Sequence, residues 1–194
     1  MHTRPLYLAS SSPRRKELLA QLGYAFTIIT PDVEELLQPE EMPRDYVLRL
    51  SRQKAQAGAT MLQEHEPDAV VIGADTIVVC GETVLEKPYN REHARQMLRT
   101  LSANRHQVMT AVTVADQRQY QSELVVTDVW FRALSEEEIN RYWESGEPCD
   151  KAGAYGIQGT GGRFVSRIEG SYHAVVGLPL LETEQLLLAF LTSY

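Results

Sequence analysis

The sequence predicts a single α/β domain with a mixed central sheet flanked by helices. Strand-like and helix-like segments alternate along the whole chain, and neither a low-complexity linker nor an internal repeat interrupts them. The 194 residues are 43% apolar and 23% charged, which is typical of a globular protein. A chain of this size buries about 70% of its surface without disulfides or structural metal. We therefore expect one domain over residues 1–194, with two lobes around a cleft as a variant of that architecture.

The first strand and helix carry strong local signals. Residues 6–9 form a short apolar run, and the serine at position 12 suits the N-cap of a helix. Pro13 fits the first helical turn, and Gly23 fits the left-handed position that follows a helix. The chain is therefore expected to begin as a strand followed by a capped helix.

The next segments predict the middle of the sheet. Residues 24–30 are rich in strand-forming types, and after an acidic loop a long polar helix is expected over residues 44–63. Residues 69–80 are apolar enough for a strand that is buried on both faces. Gly81 and Glu82 then turn the chain into a short second strand over residues 83–85.

The remaining elements follow from caps and alternation. Asn90 is placed to cap a helix over residues 91–101, and alternating runs over 108–115 and 120–131 flank a turn at 116–119. Ser135 and Glu138 form a capping-box pattern for a helix that stops at Gly146. A glycine-rich stretch over 153–162 precedes a strand over 163–168, and Pro179 begins a final apolar helix.

Charge and cysteine content restrict the class of protein. The formal charge of −7 argues against a nucleic-acid binder or an anionic-membrane binder, because such proteins need a net basic face. Cys80 and Cys149 belong to no metal-binding or redox spacing, which favours a reduced, cytoplasmic setting. Charged residues interrupt any secretory signal near the start, and no apolar stretch is long enough to span a bilayer. We expect neither export nor membrane insertion.

Three cations stand where a helix repels them. Arg14, Arg15 and Lys16 fall in the first turn of the first helix, whose N-terminus already carries a partial positive charge. With the free N–H groups and the hydroxyls of residues 10–12, they would form a phosphate-binding cradle. The alternative is that these side chains extend into solvent or pair with nearby acids.

An acid interrupts the most apolar predicted strand. An unpaired buried carboxylate costs several kcal/mol, so Asp75 must meet a cation, a metal ion or a water-filled cleft. Its small neighbours Gly73 and Ala74 would let a ligand approach. The alternative is a carboxylate that only accepts hydrogen bonds from a neighbouring loop.

Weaker signals lie further along the chain. Lys87 either projects toward the same ligand or is solvated, and the small residues of 150–159 would let the backbone approach a planar ligand. His173 is more typical of a surface or packing histidine than of a catalyst. The motifs of P-loop kinases, dinucleotide-dependent dehydrogenases, zinc proteases and serine hydrolases are missing from the sequence.

Five of these segments together resemble a known family. In order and spacing they match the motifs of the Maf nucleoside triphosphate pyrophosphatases, and the match covers essentially the whole chain. The segments are Ala9-Ser10-Ser11-Ser12-Pro13-Arg14-Arg15, Gly73-Ala74-Asp75-Thr76, Glu86-Lys87-Pro88, residues 150–159 and Gly177-Leu178-Pro179. The segment DKAGAYGIQG is similar to that of the dTTP/UTP branch, and the related 7-methyl-GTP branch differs there.

The resemblance implies hydrolysis of dTTP and UTP between the α- and β-phosphates in a nucleotide-binding cleft, with a divalent cation, expected to be Mg²⁺. It implies that Asp75 is the proton acceptor and that Arg14, Thr76 and Gln158 select the substrate. Supporting polar contacts are implied for Ser10, Glu34, Lys54 and Lys87.

Charge arguments extend this picture. The cations Arg14, Arg15, Lys54 and Lys87 would shield a triphosphate together with Mg²⁺. Asp75 would take a proton from water, hold the metal, or do both, and Glu34 would be a second acidic metal contact. We favour the base role with metal contact in addition. The resemblance further implies a homodimer.

Two other functions stay open at this point. The same cradle would serve a nucleotide-sensing regulator of cell division that binds without hydrolysis. It would also serve a pyrophosphatase for modified or purine triphosphates.

Overall fold

The strands of the computed structural model, which describes residues 4–191, form a mixed sheet of seven. They are β1 (Leu6–Ala9), β2 (Thr27–Ile29), β3 (Val70–Cys80), β4 (Thr83–Leu85), β5 (Arg105–Ala115), β6 (Tyr120–Phe131) and β7 (Val165–Glu169). The order is β2-β1-β3-β5-β6-β7, and β4 pairs with β3. Strand β1 is parallel to β2 and β3, whereas β4 is antiparallel to β3 and β7 to β6. The predicted α/β class with a mixed sheet is confirmed.

Helices separate these strands along the chain. They are α1 (Pro13–Gln21), α2 (Pro43–Leu62), α3 (Arg91–Leu101), α4 (Glu136–Glu144), α5 (Tyr172–Val176) and α6 (Leu180–Leu191). Three 3-10 turns, Glu147–Asp150, Ala152–Ala154 and Thr160–Phe164, follow α4. None of the helices within residues 4–191 combines the length and the apolar character that crossing a lipid bilayer requires.

The predicted helix ends are confirmed. The Ser12 hydroxyl accepts from the Arg15 N–H at 3.4 Å, and the Asn90 side chain accepts from the His93 N–H at 2.8 Å. Ser135 and Glu138 form the reciprocal capping box. Gly23 follows α1 with a φ of 77°, the left-handed conformation that favours glycine there.

Strand bounds differ more from the prediction. Strand β2 is shorter than the segment 24–30, and β5 begins three residues before position 108. Residues 163 and 164 belong to a 3-10 turn, so the last strand is Val165–Glu169 rather than 163–168. Helix α5 was not predicted from the sequence. These differences arise because pairing partners distant in sequence determine where a strand begins and ends.

The described residues fall into two compact units. The first comprises residues 4–75, 110–125 and 177–191, and the second comprises 76–109 and 126–176. The sequence analysis allowed two lobes as a variant of the single domain. The nucleotide-binding cleft and the extent of one domain over 1–194 stay predictions.

Each unit has its own apolar cluster. In the first unit, Tyr7, Ala9, Ala59 and Val71 pack where α2 lies on β1 and β3. In the second unit, residues of α3, α4 and the ends of β3, β5 and β6 pack around buried aromatic side chains, namely Phe131, Tyr142, Tyr155 and Phe164.

Candidate active site

Asp75 lies on β3 and is 7% exposed. Its Oδ1 accepts a hydrogen bond from Lys54 Nζ at 2.7 Å, and both side chains are largely buried, 9% and 12% exposed. The sequence predicted that this acid meets a cation, a metal ion or a water-filled cleft, and Lys54 supplies a cation. A carboxylate held by a side-chain ammonium rather than pinned by main-chain amides keeps lone pairs for a proton or a metal ion.

Gly73 explains how Lys54 reaches Asp75. A Cβ atom at Gly73 would collide with the Ser51 carbonyl oxygen and would lie 2.5 Å from the Ala55 amide nitrogen. The missing side chain therefore lets the middle of α2 lie directly on β3. The sequence suggested that Gly73 leaves room for a ligand. That expectation is wrong, because α2 itself fills the space.

The second acid at Lys54 is Glu35. Its Oε1 lies 2.6 Å from Lys54 Nζ, and its side chain is 48% exposed. The sequence-based hypothesis named Glu34, which is exposed. The acidic loop has no periodicity from which to read which of two adjacent carboxylates faces the helix.

Helix α2 also holds the loop that carries Glu35. The Tyr46 hydroxyl donates to the Glu35 carbonyl at 3.3 Å, and Arg49 donates to the Leu36 carbonyl at 2.9 Å. Arg49 also pairs with Glu41 at 2.6 Å. The loop backbone next to Glu35 is thus fastened to the helix that carries Lys54.

The first turn of α1 contributes the half-buried Arg15. Its Nε donates to the Gly177 carbonyl at 2.9 Å, and Nη1 donates to Ser10 Oγ at 3.4 Å. Burial lowers the pKa of Arg15, the charges of Asp75 and Glu35 oppose that effect, and the charge of Arg14 adds to it. The charges of Asp75 and Glu35, the two acids that contact Lys54, therefore also act on the pKa of Arg15.

The other residues of the predicted phosphate-binding cradle differ in exposure and in hydrogen bonding. Arg14 is half-buried and Lys16 is exposed. Ser10 Oγ accepts from the Ser12 N–H at 3.2 Å, and Ser12 Oγ is used as the N-cap of α1. Of the three cations, Lys16 fits the solvated alternative, whereas Arg15 belongs to the charge cluster.

The carboxylates of Asp75 and Glu35 are suitable ligands for Mg²⁺. Mg²⁺ is typically held by one or two carboxylates together with substrate phosphates and water. Asp75 and Glu35 supply two carboxylates at one ammonium group. Within residues 4–191, no group of three or more His, Cys, Asp or Glu side chains is placed to form an all-protein metal cage. Two carboxylates match the number that Mg²⁺ uses when phosphate oxygens and water supply its other ligands.

Three predicted substrate residues belong to the second unit. Thr76 follows Asp75 on β3 and is half-buried, whereas Lys87 and Gln158 are exposed. The Gly153 N–H donates to the Glu86 carbonyl at 3.2 Å, so the backbone beside Lys87 lies against the glycine-rich segment.

Comparison with known proteins identifies the chain's relatives. The family described as Maf-like protein matches residues 5–190. The chain belongs to the Maf family. This confirms the resemblance that the five sequence motifs predicted.

Relatives of this Maf protein match it over nearly its whole length. A dTTP/UTP pyrophosphatase of Vibrio parahaemolyticus serotype O3:K6 is 64% identical over 186 residues, which are 96% of this chain and 97% of that protein. A dTTP/UTP pyrophosphatase of Vibrio vulnificus strain YJ016 is 61% identical over 96% of this chain and 98% of that protein. Among solved structures, the Staphylococcus aureus Ham1 protein has a TM-score of 0.44 at 15% identity, covering 66% of this chain and 72% of that one.

The glycine-rich segment of this Maf protein packs on its own side chains. A Cβ atom at Gly159 would lie 2.5 Å from the Glu147 carboxylate, and one at Gly161 would collide with the Tyr142 hydroxyl. Gly153, with a φ of 68°, lies against Val78. At these glycines the close approach is to the chain itself, whereas the sequence suggested approach to a planar ligand.

Sequence reasoning missed two carboxylates, one in each unit. Glu35 was overlooked in favour of its neighbour, and the role of Glu147 in the glycine-rich segment was not anticipated. The sequence carries no local signal for Glu147, because its donors Thr160 and Gly161 lie 13 and 14 residues further along the chain.

Proposed function

We propose that this Maf protein hydrolyses dTTP and UTP to the nucleoside monophosphate and diphosphate. The observation that carries the proposal is a buried acid, Asp75, held in one charge cluster with Lys54, Glu35 and Arg15. Relatives at 64% and 61% identity bear the name dTTP/UTP pyrophosphatase, which supports this substrate class.

In the proposed reaction Asp75 acts as the general base. A water molecule attacks the α-phosphorus, and its proton passes to the Asp75 carboxylate. The bond between the α-phosphorus and the bridging oxygen breaks, and diphosphate leaves with the bonding electron pair. A positioned base of this kind contributes about 10²- to 10⁴-fold to the rate.

The cations of the cluster serve the phosphates. The triphosphate would bring further negative charge to the carboxylates of Asp75 and Glu35, and Lys54 and Arg15 would offset it. Arg14 would be a further cationic contact to the phosphates, and Ser10 would form a hydrogen bond with them. A divalent cation, which we propose to be Mg²⁺, would supply charge neutralisation of the phosphates when bound. Asp75 and Glu35 would hold it. Glu35 here replaces Glu34, since it is Glu35 that contacts Lys54.

We assign base selection to the second unit. Thr76 and the Gln158 amide both donate and accept hydrogen bonds, which suits a pyrimidine edge that carries donors and acceptors. Lys87 would add a positive charge for the phosphates. These three roles rest on the family motifs together with their placement in the second unit.

A cytoplasmic location and a homodimer complete the proposal. Both cysteines are free thiols, which fits a reducing compartment. The homodimer rests on the family resemblance, and light scattering after gel filtration tests it.

Chromatography of products from a nucleotide panel tests the function. The purified protein with Mg²⁺ is expected to convert dTTP and UTP to the monophosphate and diphosphate, with slower turnover of purine triphosphates. Release of inorganic phosphate with a nucleoside diphosphate would place the cleaved bond elsewhere. Tight nucleotide binding without any product would favour the nucleotide-sensing alternative, and preferred turnover of purine or modified nucleotides would redirect the substrate class.

A further inference from the structure

The carboxylate of Glu147 holds the glycine-rich segment of the second unit through hydrogen bonds. Glu147 Oε1 accepts hydrogen bonds from the Tyr142 hydroxyl at 2.7 Å and from the Gly161 N–H at 3.0 Å. Its Oε2 accepts from the Thr160 N–H at 2.9 Å. The Tyr142 hydroxyl in turn accepts from the Gly156 N–H at 3.1 Å. We call Tyr142 and Glu147 the clasp.

The clasp holds the chain on both sides of Gln158. Gly156 precedes this residue by two positions and is bonded to Tyr142, whereas Thr160 and Gly161 follow it and are bonded to Glu147. The exposed Gln158 is thus the middle of a short arch whose two ends are tied to one hydrogen-bonded pair. Fixing both ends restricts the backbone from which the Gln158 amide projects.

The tyrosine of the clasp lies in the core of the second unit. Tyr142 is 1% exposed on α4, and its ring packs edge-on against Phe164 at a centroid distance of 4.9 Å. Burial opposes ionisation of Glu147, but the N–H groups of Gly161 and Thr160 and the Tyr142 hydroxyl lower its pKa below the usual range. The carboxylate therefore stays charged and keeps all three donors at neutral pH.

We propose that Tyr142 and Glu147 are positioning residues that set base selectivity by fixing the backbone on both sides of Gln158. This inference rests on the proposed function, which gives Gln158 its contact with the base. The proposed function assigns the chemical step to Asp75 of the first unit, whereas the clasp belongs to the second unit, so its loss should weaken discrimination between bases more than it slows the chemical step.

Two conservative variants test the clasp. Glu147→Gln removes the charge that holds the Thr160 and Gly161 N–H groups, and Tyr142→Phe removes the hydroxyl while keeping the packed ring. For each, steady-state kinetics are measured with dTTP and with the three other common deoxynucleoside triphosphates. We expect KM for dTTP to rise about 10-fold, kcat to change by less than about 3-fold, and the preference for dTTP over the poorest substrate to fall about 10-fold, each factor of ten being about 1.4 kcal/mol.

A matched control and a double variant separate positioning from a general loss of structure. Glu138→Gln removes a carboxylate of the same helix that bonds to Arg132 and to the Ser135 N–H rather than to the glycine-rich segment, and is expected to leave the preference unchanged. In a Gln158→Ala background, Tyr142→Phe should cause little further loss of preference, because the side chain it positions is gone.

The outcomes distinguish this inference from the proposed function. Binding of α,β-methylene analogues of the same nucleotides, measured by calorimetry, gives the base preference even in a protein that does not hydrolyse. Absence of hydrolysis in the wild type overturns the proposed function alone. An unchanged preference in both clasp variants, a common loss for all nucleotides, or a wild type without any preference overturns the role of the clasp.

Discussion

At the scale of single residues, the site is a set of charges that stabilise one another around Lys54. This ammonium contacts the buried Asp75 at 2.7 Å and the half-exposed Glu35 at 2.6 Å. The charges of both acids oppose the lowering of the Arg15 pKa by burial. A triphosphate that binds Lys54 and Arg15 would therefore enter a cluster in which Lys54 is already paired with two carboxylates.

The two adjacent acids of the loop should differ in function. We expect Glu35→Gln to lower kcat/KM for dTTP about 10- to 100-fold, because hydrogen bonds of charged groups are worth about 1.5 to 3 kcal/mol. Glu34→Gln is the matched control and should stay within about 2-fold of the wild type. Initial rates of diphosphate release measure both. The reverse ranking would show that the contact to Lys54 does not identify the functional acid.

The pairing of Lys54 with Asp75 should be visible in stability. Lys54→Met leaves a buried carboxylate without its cation and should lower the free energy of unfolding by about 3 kcal/mol. The same substitution in an Asp75→Asn background should cost clearly less, with a coupling energy of about 1 to 3 kcal/mol in urea unfolding. Additive effects would mean that the two side chains stabilise the fold independently.

His106 gives the second unit a pH-dependent stability. It is 1% exposed, its Nε2 lies 2.8 Å from the Tyr155 hydroxyl, and burial lowers its pKa to about 4 although the charge of Asp128 opposes the shift. Because the unfolded chain takes up this proton near pH 6.5, stability should fall as the pH drops from about 6.5 to 4, by about 1.4 kcal/mol per unit.

The pH effect is measured by urea unfolding across that range. His106→Gln should flatten the pH dependence relative to the wild type. His65→Gln makes the same substitution at an exposed histidine and should leave it unchanged. Equal slopes for the wild type and His106→Gln would show that this imidazole does not stay neutral in the folded protein.

How far the sequence predicts single residues depends on the surroundings of each. Asp75 could be predicted because an acid inside an apolar strand has a high desolvation cost. Arg15 could be predicted because a cation at a helix N-terminus is unfavourable. Glu35 could not be separated from Glu34, and Glu147 could not be linked to Gly161, because those contacts depend on how the loops fold back.

At the scale of secondary structure, the contact between α2 and β3 places Lys54 beside Asp75. Gly73→Ala would insert a methyl group between Ser51 and Ala55, and overpacking of this kind costs about 1 to 3 kcal/mol or more. We expect a lower melting temperature and a loss of turnover, because α2 must move and carry Lys54 with it.

Gly81→Ala is the control for this substitution. Gly81 has no atom within 4 Å of an added Cβ, but its φ of 63° makes alanine unfavourable. It should lower stability by about 1 kcal/mol and leave turnover intact. If Gly73→Ala behaves in the same way as Gly81→Ala, the close approach of α2 to β3 does not position Lys54.

Elements were predictable where their signals are local. The helix over Arg91–Leu101 and the strands Thr83–Leu85 and Tyr120–Phe131 have the predicted bounds, since caps, glycine turns and alternation lie within the segments themselves. The 3-10 turns after α4 were not predicted. The first of them begins at Glu147, whose carboxylate accepts from Thr160 and Gly161 of the third, 13 and 14 residues further along the chain.

At the scale of the whole molecule, the two units carry different parts of the proposed function. The charge cluster of Arg15, Glu35, Lys54 and Asp75 belongs to the first unit, whereas Thr76, Lys87 and Gln158 belong to the second. Substitutions in the first unit should therefore change kcat, and substitutions of the clasp should change the base preference. The family motifs implied substrate selection by Thr76 and Gln158 together with Arg14, which belongs to the first unit.

The central claim is that Asp75 is the base of a pyrophosphatase. The most direct measurement is the rate of diphosphate release from dTTP with Mg²⁺, for the wild type and for Asp75→Asn of matched folded fraction. We predict a loss of about 10²- to 10⁴-fold in turnover with nucleotide binding retained, because the amide keeps the shape of the side chain but accepts no proton. Turnover of Asp75→Asn equal to that of the wild type would contradict the account.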